Sequence, residues 1–314
     1  MLSGALAGCE GVQSAFVPAG SGAAAVAGLF GWLLAGAAVV WLTVMSLAAY
    51  AVRGRGSPSS GRLLIVGGGV VVPTVVLFAL LAYALRLTGT LTAPGDGLIV
   101  HVNGAQYWWR VRYEPPGGPG VESANEIRLP AGQRVEFRLT STDVIHSFWA
   151  PTLGGKMDMI PGRETRLVLE PLEPGEYRGA CAEFCGESHA RMAFAVVVME
   201  AEDFAAWLER EAAPADAPVS EPERRGAAVF IDSGCGACHR VAGTKANGRI
   251  GPDLTHAGGR RTLAAGTLPV QPDAFARWIG HTREFKPGAH MPPYAEILSA
   301  EDRQALGVWL TSLD

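Results

Sequence analysis

The stretch Cys181-Ala-Glu-Phe-Cys185-Gly-Glu-Ser-His189-Ala-Arg-Met192 places two thiols, an imidazole and a thioether within one short loop. Soft sulfur combined with imidazole suits copper, and a weak methionine ligand is typical of copper electron-transfer sites. His146, in the upstream string DVIHSF, supplies a second imidazole. Two cysteines four positions apart can bridge a pair of metal ions. A Cys181–Cys185 disulfide and a zinc site are the alternatives, and neither accounts for Met192.

The residues around this loop, 95–205, show the patterns of short strands. Residues 134–141 alternate apolar and charged side chains, as a half-buried strand does, and 98–102, 165–170 and 193–199 are further strand-like runs. Turn signals such as PPGGPG and EPGE separate the runs. Strands at this density predict an all-β sandwich or Greek-key barrel.

Two uncharged apolar runs, 23–52 and 63–85, precede the β-rich segment. Each is long enough for a bilayer-spanning helix, so residues 23–90 are predicted to form a transmembrane hairpin; a pair of buried core helices is the alternative. The connecting loop holds Arg53, Arg55 and Arg62 and no acid. The positive-inside rule places that loop in the cytoplasm. The N-terminus and the C-terminal domains then lie on the outer, periplasmic side of a bacterial cytoplasmic membrane.

The N-terminal segment, residues 1–22, contains the string Leu6-Ala7-Gly8-Cys9. This string resembles the lipobox of bacterial lipoproteins, in which the cysteine is lipidated. The residues before it are too few for a normal signal peptide and lack its positive start. Cys9 is therefore either a lipidation site or an idle thiol.

The C-terminal segment, 223–314, carries a second cofactor motif. Cys235-Gly-Ala-Cys238-His239 is the attachment signature of a c-type haem, with His239 placed to bind the iron. Met291, in a proline-stiffened loop, is the predicted sixth ligand. Helices are predicted at 223–231, 272–280 and 300–313 from apolar spacing. Residues 206–222, rich in Ala, Pro and acids, are predicted to be a linker that lets this domain move.

The copper-type loop, DVIHSF and the string KMDMIPGR at 156–163 together resemble subunit II of haem–copper cytochrome c oxidases. The resemblance covers both apolar runs and the β-rich segment, and it implies a cupredoxin fold with a binuclear copper centre. The implied copper ligands are His146, Cys181, Glu183 through its main-chain carbonyl, Cys185, His189 and Met192. It also implies that the Glu183 side chain binds a magnesium ion shared with subunit I.

Two further segments resemble parts of known electron-transfer proteins. The string QYWWR, with Tyr107, Trp108 and Trp109, resembles the aromatic patch where electrons enter subunit II from cytochrome c. The family usually has tryptophan where this chain has Tyr107, so the residue that accepts the electron stays open, and packing is the simpler role for such a cluster. Residues 223–314 resemble class I cytochromes c, which implies that the Pro252 carbonyl orients His239.

A cytochrome c domain fused to subunit II resembles the caa-type oxidases. The resemblance implies an electron-input subunit, which takes electrons from cytochrome c or a cytochrome bc complex. It passes them through haem c and the copper centre to the haem and copper of subunit I, which reduces dioxygen and pumps protons. The alternatives are the corresponding subunit of a copper-containing nitric oxide reductase, a docking subunit II of a quinol oxidase without copper, and a periplasmic redox protein such as a nitrous oxide reductase. The net charge of −4 gives no indication of a nucleic-acid partner.

Overall fold

The computed structural model describes residues 11–54 and 58–314. Cys9, for which the sequence leaves lipidation and an idle thiol open, lies outside the described residues. The chain divides into two compact units, one of residues 24–93 and one that joins residues up to 23 with residues 94–314.

Residues 24–93 form two long apolar helices, as the sequence predicts. The first helix, α1, spans Ser21–Val52, and the second runs through α2 (Pro58–Leu63), a π-helical stretch (Leu64–Val71) and α3 (Val72–Leu91). The π-helical stretch contains the run Gly67-Gly68-Gly69 and ends just before Pro73. Pro73 lacks the N–H that a regular helical turn needs. Large apolar side chains such as Trp32 and Phe78 are exposed along both helices. Both helices are long and apolar enough to cross a membrane.

Residues 98–212 form the β domain, a sandwich of two five-stranded sheets. One sheet has the order β3-β2-β1-β5-β8 and the other β4-β10-β9-β6-β7. Parallel pairs join β1 to β5 and β10 to β4, and the remaining neighbours are antiparallel. The strands are β1 (Ile99–Ala105), β2 (Trp108–Glu114), β3 (Val121–Ala124), β4 (Glu126–Pro130), β5 (Val135–Ser141), β6 (His146–Trp149), β7 (Met157–Met159), β8 (Thr165–Leu169), β9 (Gly175–Cys181) and β10 (Ala193–Met199).

Aromatic rings fill the centre of the sandwich. Trp109 is fully buried, and its ring meets those of Phe148 and Phe194 edge-on at 5.9 and 5.3 Å between centroids. Phe148 and Phe194 stack on each other at 4.6 Å. Gly179 makes room for this stack, because a Cβ there would lie 2.0 Å from the Phe194 ring. The packing fixes the ends of β9 and β10, which the cysteine-rich loop connects, and it also fixes β6, which begins with His146.

A helix that the sequence analysis did not predict closes the β domain. This helix, α4, spans Ala201–Ala212 and includes the first part of the predicted linker. Its buried residues, Phe204 and Trp207, pack against Tyr113, and Arg128 lies over the Trp207 ring. The apolar residues stand one helical turn apart, so the helix can bury a single face. The connection between the domains is correspondingly short.

Residues 221–314 form the C-terminal domain, called the haem domain below after the motif it carries, in which three main helices enclose a separate core. They are α5 (Glu221–Asp232), α6 (Pro272–Gly280) and α8 (Ala300–Ser312), with the short α7 (Thr282–Phe285) after α6. A capping box of Ser220 and Glu223 starts α5. Gly226 lets α5 and α8 approach closely, because a Cβ there would lie 2.2 Å from the Ala305 carbonyl oxygen. Phe230 meets Trp309 at 5.1 Å across the same crossing.

The residues just before the first apolar helix belong to the same unit as the β domain. The amide of Ala19 donates to the Thr152 carbonyl at 2.7 Å, and the Leu172 amide donates to the Ala19 carbonyl at 2.7 Å. Gly20 sits where a Cβ would lie 2.4 Å from the Leu153 carbonyl oxygen. The chain entering the first apolar helix is therefore fixed against the β domain.

Candidate copper and haem sites

The cysteine-rich loop connects β9 to β10 and turns back on itself. Cys181 is the last residue of β9, a short 3₁₀ turn spans His189–Arg191, and Met192 immediately precedes β10. The Cys181 amide donates to the Met192 carbonyl at 2.9 Å, which closes the base of the loop. His146 begins β6, next to β9 in the sheet. The sandwich thus brings together residues that are 46 positions apart, His146 and Met192.

The side chains of this loop converge on a small buried volume. Cys181 Sγ lies 3.8 Å from His146 Nδ1, and Cys185 Sγ lies 3.5 Å from His189 Nδ1. Met192 Sδ lies 3.8 Å from Cys185 Sγ. The Glu183 carbonyl oxygen lies 3.2 Å from Cys181 Sγ. The donor atoms of His146, Cys181 and Cys185 all lie within 4.8 Å of one another, as a metal site requires.

Two residues next to the ligands fix the ring of His146. The Asp143 carboxylate accepts from His146 Nε2 at 2.8 Å and is itself held by the Gln106 amide at 2.7 Å. With its proton on Nε2, the ring presents the Nδ1 lone pair to the sulfur side. On the other face, a Cβ at Gly104 would lie 2.8 Å from the His146 ring. Carboxylate and glycine together leave this ring a single orientation.

The two thiols of the loop differ in acidity. The neighbouring Cys185 thiol, and then the His146 ring, lower the pKa of the Cys181 thiol well below its usual range, against the effect of burial. Cys181 in turn raises the pKa of Cys185, and burial adds to that rise. A metal cation beside the two sulfurs would favour the thiolate form of both cysteines.

The donor set fits copper. Cys181, Cys185, Cys235 and Cys238 are free thiols, so the structure does not contain the disulfide that was the alternative at 181 and 185. Zinc takes thiolate, imidazole and carboxylate ligands, whereas a thioether beside two thiolates and two imidazoles suits copper. Met192 is buried with its sulfur against Cys185. This thioether is the feature that favours copper over zinc.

The haem motif comes directly after α5, at the start of the loop that follows this helix. A 3₁₀ turn spans Cys235–Ala237, and His239 follows directly. His239 Nδ1 donates to the Pro252 carbonyl at 2.8 Å, which leaves the Nε2 lone pair available to iron. Burial lowers the pKa of His239, so the ring is a neutral imidazole. Gly251 allows this contact, since a Cβ there would lie 2.5 Å from the ring.

Met291 packs against the same core as Cys235, on the side of α6 and α7. The Thr282 hydroxyl donates to the Met291 carbonyl at 2.9 Å and fixes the loop that carries the thioether. A half-buried neutral imidazole, two thiols on one turn and a thioether on the same core fit a c-type haem.

The remaining predicted site residues occupy different environments. Tyr107 and Trp109 are buried and Trp108 is half-buried, with the Arg110 guanidinium over its ring. Trp109 lies edge-on to His146 at 6.2 Å between centroids, inside the β core. The Glu183 side chain is exposed, while its carbonyl points into the site.

Sequence reasoning missed Asp143 and Gly104. Asp143 is visible in the string DVIHSF, where a carboxylate precedes a ligand histidine by three residues, and that spacing was a usable signal. Gly104 lies in β1, and nothing local indicates that it faces His146. Its role depends on the pairing of distant strands.

Two family profiles match separate parts of the chain. The profile described as "Cytochrome C oxidase subunit II, periplasmic domain" matches residues 119–200. The profile described as "Cytochrome c" matches residues 223–314. The first match contains every residue of the cysteine-rich loop and His146, and the second contains the haem motif and Met291.

Curated relatives match over most of the chain. A cytochrome c oxidase subunit 2 of Alkalihalophilus pseudofirmus is 38% identical over 220 residues, which cover 70% of this chain and 62% of that protein. A cytochrome c oxidase subunit 2 of Bacillus subtilis is 31% identical over 262 residues, covering 77% of this chain and 72% of that protein. The chain thus spans less than two thirds of the first relative and more than two thirds of the second. The solved periplasmic domain of subunit II of cytochrome oxidase of Bradyrhizobium japonicum is 30% identical, covers 38% of this chain and 96% of that one, and superposes with a TM-score of 0.36.

Proposed function

Because the chain belongs to the cytochrome c oxidase subunit 2 family, we propose that it is the electron-input subunit of a caa-type terminal respiratory oxidase. In that role it accepts electrons from a donor and delivers them to subunit I. Subunit I, which carries the oxygen-reducing haem and copper, reduces dioxygen to water and pumps protons. The chain itself contributes to an oxidoreductase without reducing dioxygen alone.

The proposal rests on the convergence of six donors in one loop and one neighbouring strand. In it, Cys181 and Cys185 would hold two copper ions together with His146 and His189. Met192 and the Glu183 carbonyl complete the set, with sulfur–nitrogen separations of 3.8 and 3.5 Å supporting the two halves. Asp143 keeps His146 in the ligating tautomer.

The haem domain is proposed to hold one haem c. Cys235 and Cys238 would attach the haem covalently, and His239 and Met291 would bind its iron. The haem and the copper centre would supply one-electron chemistry, while the chain provides binding, orientation and exclusion of water. The His239–Pro252 hydrogen bond performs the orienting role on the haem side.

Partners and location follow from the same proposal. Subunit I would share a magnesium ion with the exposed Glu183 side chain. Cytochrome c or a cytochrome bc complex would be the donor, with Trp108, Tyr107 or Trp109 on the path of electrons that bypass the haem domain. The contact of Ala19 and Gly20 with the β domain supports a topology with the N-terminus and both domains on the periplasmic side.

Metal analysis of the purified full-length chain tests the copper assignment. We expect a copper-to-haem-iron ratio of about two.

Cys185→Ser should lose the binuclear centre. Met192→Leu should keep copper bound and change its spectrum, because a thioether tunes the site without holding it. Zinc in place of copper, or an unchanged dicopper spectrum in Cys185→Ser, would refute the assignment.

Met291→Ala tests the haem assignment. The haem should stay covalently attached, lose its methionine–iron absorption band and bind external ligands at the iron. Met157→Ala, in strand β7 of the β domain, is the matched control and should keep the band. A band that persists in Met291→Ala and disappears in the control would move the ligand to the other domain.

Gas consumption by the purified complex tests the reaction. We expect oxygen uptake that depends on this chain. Consumption of nitric oxide with no oxygen uptake would assign the complex to the nitric oxide reductases instead.

A further inference from the structure

Lys286 is a buried lysine that neither ligand set uses. Its exposure is only 3%, and its Nζ donates to the Tyr107 carbonyl at 2.5 Å and to the Ala264 carbonyl at 3.1 Å. Tyr107 belongs to the β domain, whereas Ala264 belongs to the haem domain. Burying an ammonium group is costly unless it is hydrogen-bonded, and burial lowers the pKa of Lys286 to about 7. This side chain therefore joins the two domains at a point that water does not reach.

The residues around Lys286, 284–288, form a docking segment against the copper loop. The Ser188 hydroxyl donates to the Pro287 carbonyl at 2.7 Å. The Arg191 guanidinium donates to the Glu284 carbonyl at 3.3 Å and also to the Phe285 carbonyl. Carbonyl groups of this haem-domain segment thus accept hydrogen bonds from Ser188 and Arg191. These two residues lie next to the proposed copper ligands His189 and Met192.

The docking segment also lies next to a haem ligand. Met291 follows it by three residues, and Ser188 on the other side immediately precedes His189. Gly288 lies under the Tyr107 ring, since a Cβ there would be 3.2 Å from the Tyr107 hydroxyl oxygen. A displacement of this contact would move the loops of both metal sites relative to each other.

We propose that Lys286 is a positioning residue that holds the haem domain in one orientation on the β domain, with the His189 loop and the Met291 loop at a fixed separation. The proposal rests on the proposed function, because the separation matters only if electrons pass between the two sites. An amine suits the role because it offers several donors on a long stem and can serve carbonyls from both domains at once. An apolar side chain would leave both carbonyls unpaired in the docked state, while water would pair them in the undocked state.

The test compares full-length variants loaded with haem and copper. Lys286→Met removes the donors at similar length, and Lys286→Arg restores donors to the contact. Lys245→Met changes an exposed lysine of the same domain and is the matched control. The first measurement is hydrogen–deuterium exchange in residues 186–191 and 284–288, which does not depend on electron transfer. The second is the rate of electron transfer from haem to copper after flash photoreduction, at several solvent viscosities.

We expect Lys286→Met to raise exchange in both segments by about tenfold, the change that follows from losing buried hydrogen bonds. Its transfer rate should fall by a similar factor and become viscosity-dependent, because the domain must then find its position by diffusion. Both absorption spectra should stay as in the parent chain. Lys286→Arg should recover most of the rate, and Lys245→Met should equal the parent chain.

Parent-like exchange together with a parent-like, viscosity-independent rate in Lys286→Met would overturn the proposal. If Lys286→Met does not accumulate, Lys286→Gln, which keeps two N–H donors on a shorter stem, carries the same test. In Lys286→Gln, changes in exchange and in transfer rate that are smaller than those expected for Lys286→Met support the proposal. Exchange and a rate equal to those of the parent chain overturn it. Failure of the proposed function has a different signature: the parent chain would lack the copper or haem spectrum, while the exchange data would still report on the contact.

Discussion

Residues that are not metal ligands themselves determine how the side chains of the ligands are oriented. Gly104 illustrates this, because its missing side chain is the space that the His146 ring occupies. Gly104→Ala should therefore push the ring out of line with Cys181 and weaken copper binding about 10- to 100-fold, the range seen when supporting residues of a metal site are lost. Competition with a copper chelator measures the affinity. Gly155→Ala, where a Cβ meets open space, is the control, and equal affinities in both variants would contradict the prediction.

Asp143 acts on the same ring from its other side. Asp143→Asn keeps the shape but replaces the carboxylate that accepts from His146 Nε2, so the ligating tautomer is no longer fixed. Copper should dissociate about 10-fold faster, and the copper spectrum should broaden as the ring samples two states. Asp203→Asn, on the exposed side of α4, should leave both quantities unchanged. A sharp spectrum with parent-like dissociation would show that the Gly104 wall alone orients the ring.

At the scale of elements, the sequence predicted the helices and strands whose pattern is visible within their own segment. The strand pattern at 193–199 and the helix at 272–280 match β10 and α6, because alternation and apolar spacing are visible within each segment. Helix α4 was missed because Phe204 and Trp207 are its only buried residues and an Ala/Pro-rich stretch follows at once. The Lys286 contact could not be predicted, since its partner Tyr107 is 179 positions away and offers only a carbonyl.

The crossing of α5 and α8 depends on a glycine where helix propensity alone would favour alanine. Gly226→Ala should destabilise the haem domain by about 1–3 kcal/mol, because the new Cβ would meet the Ala305 carbonyl and overpack the crossing. Urea unfolding followed through the haem absorbance measures the change. Ala228→Gly, at an exposed position of α5, should cost about 1 kcal/mol through propensity alone. Stabilisation by Gly226→Ala would mean that the helices can separate without cost.

At the scale of the whole molecule, the docked haem domain changes what the linker can do. The sequence predicted a haem domain that moves between donor and copper site, whereas the structure seats it on the copper loop through residues 284–288. The Tyr107 carbonyl and hydroxyl both face this segment. In the proposed function, an external donor would meet the haem domain at this corner, which favours a path through haem c over direct entry at Tyr107.

The charge of Lys286 gives the docked structure a pH dependence of defined sign. Burial lowers its pKa from 10.5 to about 7, and the Arg191 guanidinium adds to the shift. Between these two pKa values the unfolded chain binds more protons than the folded chain, so the free energy of unfolding rises with pH. Relative to Lys286→Met, the parent chain should gain about 2 kcal/mol of stability between pH 7 and pH 9. Urea unfolding of both chains at the two pH values measures the difference, and subtraction removes the contribution of every other group. A difference that stays constant or falls with pH would mean that Lys286 keeps its full charge when docked, and that the two carbonyls compensate its burial completely.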